Sequence, residues 1–247
     1  AIREGQAAGK AGKFTSSRTF AAVPVASHQR KALISLCARL VQLRVKLHYN
    51  FSVAMLNDWI LVGVSGVTNG GKTSLVNYLQ QVFEDCVILH QDAYFRSEFD
   101  KKHEMIVELN HANFEALSSV DWDKLLEAVA TCTSEPPRGP NRLLIIDGHI
   151  IYNHPKLAKL FDKRYFFTLP REECYVRRQT RTYDPADVPG YFEKVVWPMY
   201  LKNLQEVKDT QNGIVYLDGT QDMRELHQKV LEDLQSFLKQ HSSDDRN

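Results

Sequence analysis

The chain has 247 residues, of which 43% are hydrophobic and 25% are charged, which is enough for one sizeable core. The formal net charge of +1 conceals an uneven distribution, because residues 1–54 carry nine Lys/Arg and one acid, whereas the remainder carries 22 basic and 29 acidic residues. A body this acidic is a poor nucleic-acid-binding surface, so we expect no nucleic-acid partner. No window of about 18 residues is continuously apolar, so we also expect no membrane span.

Residues 1–54 differ in composition from the rest of the chain. They are rich in Ala, Ser, Lys and Arg, and residues 32–47 have the pattern of a basic amphipathic helix. The first methionine is Met55, just before the first predicted strand. We favour a disordered or artefactual extension, and a mitochondrial transit-type segment and a membrane-surface helix stay open as alternatives. The remaining residues, 55–247, are predicted to form a single folded domain, which we expect in the cytoplasm unless the extension is a transit segment.

Short β-branched runs alternate with helical patterns from residue 58 onward. This alternation predicts an α/β fold with a five-stranded parallel sheet covered on both faces. The predicted strands are 59–65, 86–90, 142–147, 164–169 and 214–217. The predicted helices are 72–84, 121–132, 155–161, 171–181, 191–211 and 222–240. In such a fold, ligands bind at the carboxyl ends of the strands.

A phosphate-binding loop follows the first predicted strand. Its sequence fits G-x-x-x-x-G-K-[ST], and an apolar strand pattern precedes it while a helical pattern follows it. Glycines let successive backbone N–H groups face a phosphate chain at a helix N-terminus. In this pattern Lys72 reaches the β- and γ-phosphates, and the hydroxyl of Thr73 ligates Mg²⁺. The loop consists of Gly66, Val67, Thr68, Asn69, Gly70, Gly71, Lys72, Thr73 and Ser74. The sequence therefore predicts a protein that binds a nucleoside triphosphate.

Two carboxylates end predicted strands. Asp92 follows the second strand, where it would face the γ-phosphate and accept the proton of an attacking hydroxyl. Asp147 ends the third strand, where it would lie beside the magnesium ion. Asp at a strand end is also a common turn former, so both predictions depend on the phosphate loop beside them.

Segment 171–184 combines arginines with a break in the helical pattern. Arg177 and Arg181 lie four residues apart on one helical face, with Arg178 beside them, and Asp184-Pro185 and Pro189-Gly190 follow. Arginines on a hinged segment suit a lid that closes over phosphates and excludes water. The alternative is an exposed helix with solvated arginines.

Cysteine and histidine spacings give no sign of a metal site. Four cysteines (Cys37, Cys86, Cys132 and Cys174) are far apart and form no C-x-x-C motif, which indicates reduced thiols in a cytosol-like compartment. His149 and His154 are five residues apart rather than four, and we interpret both as structural or exposed.

The chain resembles the nicotinamide riboside kinases, a branch of the phosphate-loop nucleoside kinases that includes uridine kinases. The resemblance runs from about residue 58 to residue 239 and covers none of the first 54 residues. It is carried by GVSGVTNGGKTSL (63–75), HQDAYF (90–95), LLIIDG (143–148), FFTLPREEC (166–174), RRQTRTY (177–183), PGYF (189–192), VWPMYLK (196–202) and VYLDGT (215–220). The phosphate loop alone occurs in many families. The combination of VWPMY, PGYF and the spacing of the lid arginines is specific to far fewer families.

This resemblance implies phosphorylation of the riboside 5′-hydroxyl by Mg-ATP, which gives the mononucleotide for NAD synthesis. It implies a general base at Asp92 and a catalytic lysine at Lys72. The implied ATP contacts beyond the loop are Arg177, Arg181, Thr182, Tyr183, Gln221, Asp222 and Met223. The implied riboside contacts are Asp92, Ala93, Tyr94, Phe95, Phe114, Glu115, Arg178, Tyr183 and Asp184. The implied magnesium ligands are Thr73, Asp92 and Asp147.

The sequence departs from the family pattern at a few positions. Ala93 stands where the family has an acid, and Asp147 stands where it has a glutamate. The family's Tyr-Asp pair, which sandwiches the nicotinamide and binds the ribose diol, aligns with Phe114-Glu115. Phe keeps ring stacking and Glu keeps an acceptor, so we expect binding to be preserved and discrimination among ribosides to differ.

The resemblance therefore implies a monomeric kinase that phosphorylates nicotinamide riboside and also nicotinic acid riboside. The alternatives are a uridine/cytidine kinase or another small-alcohol kinase, and a non-catalytic nucleotide-binding protein. A GTPase switch is disfavoured, because the chain has no N-K-x-D motif.

Overall fold

The computed structural model describes residues 58–137 and 139–244. The predictions made for residues 1–54 lie outside the described residues. Among those that are described, no helix is both long and apolar enough to cross a membrane. The cysteines in this part of the chain, Cys86, Cys132 and Cys174, are free.

Among the described residues, five strands form one parallel sheet. A hairpin of two short strands, each two residues long, lies apart from it. The strands in chain order are β1 (Ile60–Gly66), β2 (Val87–His90), β3 (Met105–Ile106), β4 (His111–Ala112), β5 (Leu143–Asp147), β6 (Lys163–Thr168) and β7 (Ile214–Asp218). The main sheet has the order β2-β5-β1-β6-β7, and β3 pairs with β4 in the hairpin. The order places β1 at the centre, so the loop that follows β1 lies in the middle of the sheet's carboxyl edge.

Five α-helices accompany the sheet in the part of the chain that the structure describes. They are α1 (Lys72–Val82), α2 (Trp122–Thr133), α3 (Arg171–Gln179), α4 (Trp197–Thr210) and α5 (Met223–Asp244). A π-helical turn, Phe192–Val196, leads directly into α4. Helix α2 has its N-cap at Asp121, whose side chain accepts a hydrogen bond from the backbone N–H of Lys124.

Two apolar clusters cover the two faces of the sheet. Alternate residues of a strand point to opposite faces, so Leu61 of β1 packs in one cluster while Val62 and Val64 pack in the other. Strands β1 and β5 are buried along their whole lengths. A strand buried on both faces reads as a continuous apolar run, which explains why the sequence pattern located both strands well.

The predicted fold class is confirmed, and each predicted strand of the main sheet is present within one or two residues. The helix predicted at 155–161 is wrong, because the structure has only the 3₁₀ turn Ala158–Leu160 there. Leu157, Ala158 and Phe161 are all buried. The apolar spacing in this segment therefore reflects burial of a tightly packed turn rather than one face of a helix.

Candidate active site

A cleft of about 900 Å³ opens at the carboxyl edge of the sheet. The loop after β1, the turn after β2 and the end of β5 form its floor. The segment after α3 and the aromatic residues near β4 form its walls. Its lining includes the following residues predicted from the sequence: Thr68, Asn69, Gly70, Gly71, Lys72, Thr73, Ser74, Asp92, Phe95, Phe114, Glu115, Asp147, Arg177, Arg178, Arg181, Thr182, Tyr183 and Asp184.

The phosphate loop has a backbone that only certain residues can adopt. Gly66 and Gly71 have φ angles of 117° and 111°, in the left-handed region that favours glycine. A Cβ atom on Gly66 would collide with the backbone of Phe167 in the neighbouring strand. Gly71 is also the N-cap of α1, so the loop delivers the chain directly to a helix N-terminus. Backbone N–H groups at this terminus are oriented to bind an anion.

Lys72 folds back over the loop that carries it. Its Nζ donates hydrogen bonds to the carbonyl oxygens of Gly66 (3.0 Å) and Val67 (2.7 Å). Burial lowers the pKa of the Lys72 ammonium, and the carboxylates of Asp92 and Asp147 oppose this shift. The lysine is thus a cation held beside the loop, with two carboxylates near it.

Asp147 joins the end of β5 to the start of α1. Its Oδ2 accepts a hydrogen bond from Thr73 Oγ1 at 3.5 Å, and its Oδ1 lies 2.6 Å from Nδ1 of His90. The parallel register of β2 and β5 places His90 beside Asp147. Burial raises the pKa of Asp147, and the contact with His90 opposes that rise. His90 therefore orients a carboxylate that also contacts the loop hydroxyl.

Asp92 lies in the 3₁₀ turn Gln91–Tyr94, directly after β2. It is exposed to solvent and lines the same cleft as Lys72 and Thr73. An exposed carboxylate in a cleft can accept a proton from a bound molecule without breaking a protein contact.

Phe114 and Glu115 also line the cleft. Phe114 makes edge contacts with the rings of Phe95 (5.7 Å), His103 (5.0 Å) and His111 (5.8 Å). These neighbours fix the Phe114 ring in place while it lines the cleft. Glu115 is largely buried, and its carboxylate also lines the cleft. A planar ring with an acid next to it can hold an aromatic base and a diol.

His149 stands beside Glu115, with Nε2 at 3.6 Å from Oε2. Nδ1 of His149 lies 3.0 Å from the amide nitrogen of Gln91. The Gln91 residue is fully buried. Burial lowers the pKa of His149. The sequence interpretation of His149 as structural or exposed is therefore incomplete, because the residue lines the cleft. His154 does have a structural contact, since it stacks on Trp122 at 4.5 Å.

Two of the predicted lid arginines bind protein groups. Arg177 donates to the carbonyl oxygens of Asn69 (3.3 Å) and Gly219 (3.0 Å). Arg178 is 6% exposed and makes a two-pronged ion pair with Asp187, at 2.6 Å and 2.9 Å. These contacts hold the end of α3 against the phosphate loop and against the segment that follows.

The residues after α3 reach over the cleft. The hydroxyl of Tyr183 accepts a hydrogen bond from Asn69 Nδ2 at 3.0 Å, and the Arg178 guanidinium lies 4.1 Å from its ring centroid. Arg181 is exposed and lines the cleft, with its guanidinium 5.4 Å from the same ring. Thr182 and Asp184 are exposed cleft residues as well. Arg181 is thus the lid arginine best placed to meet a ligand.

A few predicted contacts lie outside the cleft lining among the described residues. Ala93 is exposed, and Tyr94 packs against the apolar cluster behind the cleft. Asp222 accepts backbone hydrogen bonds at the start of α5. Gln221 and Met223 flank it, and Met223 lies against Gly71 of the phosphate loop.

Sequence reasoning missed the residues that orient the predicted ones. His90 and Asp187 are of this kind, because they contact Asp147 and Arg178 respectively. His149, which lines the cleft, and Gln91, which contacts His149, were missed as well. His90 and Gln91 lie within HQDAYF (90–95), one of the stretches that resemble the family, and this resemblance was the available sign of their importance. Asp187 lies nine residues from Arg178, and only the fold brings the two together.

The fold and the cleft define a phosphate-loop kinase that acts on small molecules. The chain is 39% identical over 189 residues to nicotinamide riboside kinase 1 of Rattus norvegicus, covering 72% of this chain and 95% of the relative. It is 35% identical over 192 residues to nicotinamide riboside kinase 2 of Homo sapiens, covering 72% and 82%. The chain belongs to the nicotinamide riboside kinase family.

The other comparisons add less. No protein-family profile matches the chain. A solved gluconokinase from Sinorhizobium meliloti 1021 is 17% identical and aligns with a TM-score of 0.46, covering 73% of this chain and 94% of that one.

Proposed function

We propose that this protein transfers the γ-phosphoryl group of ATP to the 5′-hydroxyl of nicotinamide riboside, and also of nicotinic acid riboside, in NAD synthesis. The hydroxyl oxygen forms a bond to the γ-phosphorus, the bond to the β–γ bridging oxygen breaks, and ADP leaves. The observation that carries the proposal is one cleft that is lined both by the phosphate loop and by the aromatic-acid pair Phe114-Glu115.

The donor end of the cleft suits the triphosphate. Gly70 to Ser74 present the N-terminus of α1 to the phosphates, and Lys72 supplies the cation beside them. Lys72 would leave the carbonyl oxygens of Gly66 and Val67 as the phosphates arrive, because an anion is a stronger partner for an ammonium. Arg181 would close over the same phosphates. The remaining nucleotide contacts proposed are Arg177, Thr182, Tyr183, Gln221, Asp222 and Met223.

The oxygen atoms at this end of the cleft fit Mg²⁺. Thr73 and Asp147 are in contact with each other, and Asp92 lines the same floor. Hydroxyl and carboxylate oxygens are hard ligands of the kind Mg²⁺ takes, alongside waters and substrate phosphates. Within the described residues no group of three His, Cys, Asp or Glu could hold a metal by itself, which agrees with a site completed by phosphates. When bound, Mg²⁺ neutralises charge on the β- and γ-phosphates.

The acceptor end suits a riboside. Phe114 would stack on the pyridine ring, since its neighbours Phe95, His103 and His111 hold its orientation. Glu115 would accept hydrogen bonds from the two ribose hydroxyls. Tyr183 and Asp184 would enclose the riboside from the lid side. Arg178 would contribute to riboside binding mainly by holding Asp187 and Tyr183 in place.

Asp92 would take the proton of the 5′-hydroxyl. It follows β2 in chain order, so it lies at the edge of the sheet where the γ-phosphate would lie. General-base catalysis of this kind contributes roughly 10²- to 10⁴-fold to the rate. Ala93 and Tyr94, which follow it, would shape the turn rather than contact the riboside.

A substrate panel tests this proposal. The purified chain is assayed with Mg-ATP and nicotinamide riboside, nicotinic acid riboside, uridine, cytidine or pantothenate. We expect kcat/KM for the two pyridine ribosides to exceed that for the other acceptors by at least about tenfold, because the relatives that are 39% and 35% identical are nicotinamide riboside kinases. Ring stacking and diol contacts discriminate only against pantothenate, which has neither an aromatic ring nor a ribose. Preference for uridine would instead support a uridine/cytidine kinase. Magnesium-dependent ATP binding without turnover of any acceptor would support a non-catalytic nucleotide-binding protein.

We further propose that the kinase domain comprises residues 55–247 and acts as a monomer in the cytoplasm. The cleft is complete within the described part of one chain, and three cysteines there are free, as in a reducing compartment. Size-exclusion chromatography with light scattering tests the oligomeric state, and fractionation of tagged full-length chain tests the location.

A further inference from the structure

The position of Gln91 determines which nitrogen of His149 carries a proton. The Gln91 oxygen accepts a hydrogen bond from the backbone N–H of Ile150 at 3.2 Å, so its amide nitrogen faces His149 Nδ1 at 3.0 Å. An amide NH₂ group only donates, and Nδ1 must therefore accept. A neutral imidazole whose Nδ1 accepts carries its proton on Nε2.

The Nε2–H group of His149 points toward Glu115. The distance from Nε2 to Oε2 of Glu115 is 3.6 Å, slightly longer than a hydrogen bond, and the backbone of Phe114 offers the ring a second acceptor. Contacts of this kind are often long in the free enzyme and shorten when substrate binds.

Glu115 has a donor beside each of its two carboxylate oxygens. Arg178 Nη1 lies 3.9 Å from Oε1, and His149 Nε2 lies 3.6 Å from Oε2. The backbone of Glu115 is also fixed, because its N–H donates to Asn113 at 3.1 Å and its carbonyl oxygen accepts from Asn203 at 3.4 Å. Each carboxylate oxygen keeps further acceptor capacity for a ligand hydroxyl.

We propose that His149 is a positioning residue for Glu115 and, through it, a determinant of the preference for ribose over 2-deoxyribose. When a riboside binds, the Nε2–H group of His149 would approach one oxygen of Glu115 to hydrogen-bond distance, and Arg178 would approach the other. The carboxylate is then oriented to receive both hydroxyls of a ribose. This inference rests on the proposed function only in taking a riboside as the acceptor.

Kinetics of three variants test the proposal. His149→Phe removes the donor and keeps an aromatic ring, His149→Gln places an N–H near the position of Nε2, and His149→Asn places one near Nδ1 only. Each is assayed with nicotinamide riboside and with its 2′-deoxyriboside. In the Phe variant we expect the preference for the riboside over the 2′-deoxyriboside, measured as the ratio of their kcat/KM values, to fall about tenfold. The fall should come from a higher KM for the riboside, and the KM for ATP should stay unchanged.

The Gln variant should regain part of that preference, and the Asn variant should not. A merely structural role for His149 would lower the activity of both substrates by the same factor. An unchanged ratio in the Phe variant would therefore overturn the proposal. If the wild type phosphorylates uridine instead, the proposed function is wrong, and the same comparison with 2′-deoxyuridine still tests His149.

A measurement without substrate tests the tautomer directly. Two-bond ¹H–¹⁵N correlation spectra of the ¹⁵N-labelled full chain report which imidazole nitrogen is protonated, with His149→Phe as the assignment control. In the neutral ring we expect the proton on Nε2. A neutral ring that carries its proton on Nδ1 would contradict the proposal, whatever the enzyme's substrate.

Discussion

Arg178 and Asp187 form a two-pronged ion pair, with Nε 2.6 Å from Oδ2 and Nη2 2.9 Å from Oδ1. The pair ties the last turn of α3 to the segment that is predicted to form a lid. Arg178 also donates to Thr68 in the phosphate loop at 3.1 Å. A single guanidinium thus connects the loop that would hold the phosphates to the segment that would close over them.

Replacing Asp187 should destabilise the fold. Asp187→Ala leaves the guanidinium of Arg178 buried without its main partner, and we expect a loss of about 2–3 kcal/mol in the free energy of unfolding, measured with urea. Glu173→Ala is the matched control, because the Arg177–Glu173 pair is more exposed and should contribute only about 0.5 kcal/mol. Equal losses in the two variants would show that Arg178 does not depend on Asp187.

Adding a methyl group to Gly66 should disrupt the phosphate loop. Gly66→Ala combines a φ of 117° with a collision against the backbone of Phe167, so we expect a loss of at least about 3 kcal/mol in stability and loss of ATP binding. Gly213→Ala has a φ of 69° and open space around it, and should cost only about 1 kcal/mol. Thermal unfolding measures the stability of the two variants, and nucleotide titration measures their ATP binding. Normal ATP binding by Gly66→Ala would rule out the loop geometry described.

Replacing Asp147 should weaken the response to magnesium. Asp147→Asn keeps the shape but removes the negative charge of the side chain that contacts Thr73, and we expect the Mg²⁺ concentration for half-maximal rate to rise by roughly 10-fold or more. Asp218→Asn is the control, since Asp218 also ends a strand of the sheet but caps the backbone of Thr220 outside the cleft lining. An unchanged magnesium requirement in Asp147→Asn would argue against a role near the metal.

The buried His149 should make stability depend on pH. Burial lowers its pKa below the ordinary value of 6.5, with Glu115 and Asp92 opposing the shift and Lys72 adding to it. Between the lowered folded value and 6.5 the unfolded state binds more protons, so stability is lost as pH falls through this window. His149→Phe should lose less stability over the same range in thermal unfolding. Parallel curves for both proteins would mean that His149 titrates alike in the folded and unfolded states.

The sequence predicted the sheet well and the orienting contacts poorly. Strands such as Leu143–Asp147 are buried on both faces, so their apolar runs are unmistakable, and the phosphate loop has a fixed spacing. The turn at Ala158–Leu160 was mistaken for a helix, because close packing on several sides can imitate helical spacing. Local patterns therefore located the elements but not every turn between them.

The local sequence around an orienting side chain does not indicate which residue it contacts. Gln91 and His149 are 58 residues apart, and the register of β2 and β5 brings their segments together. His90 meets Asp147 in the same way. Contacts across strands follow from the strand order, which a single sequence does not fix.

The central claim is that Asp92 accepts the proton of the hydroxyl that attacks ATP. The most direct test is the single-turnover rate of Asp92→Asn with saturating nicotinamide riboside and Mg-ATP, alongside a measurement of ATP affinity. We predict an ATP affinity within about twofold of wild type and a rate lower by roughly 10²- to 10⁴-fold. A rate close to that of the wild type, with ATP still bound, would contradict the claim.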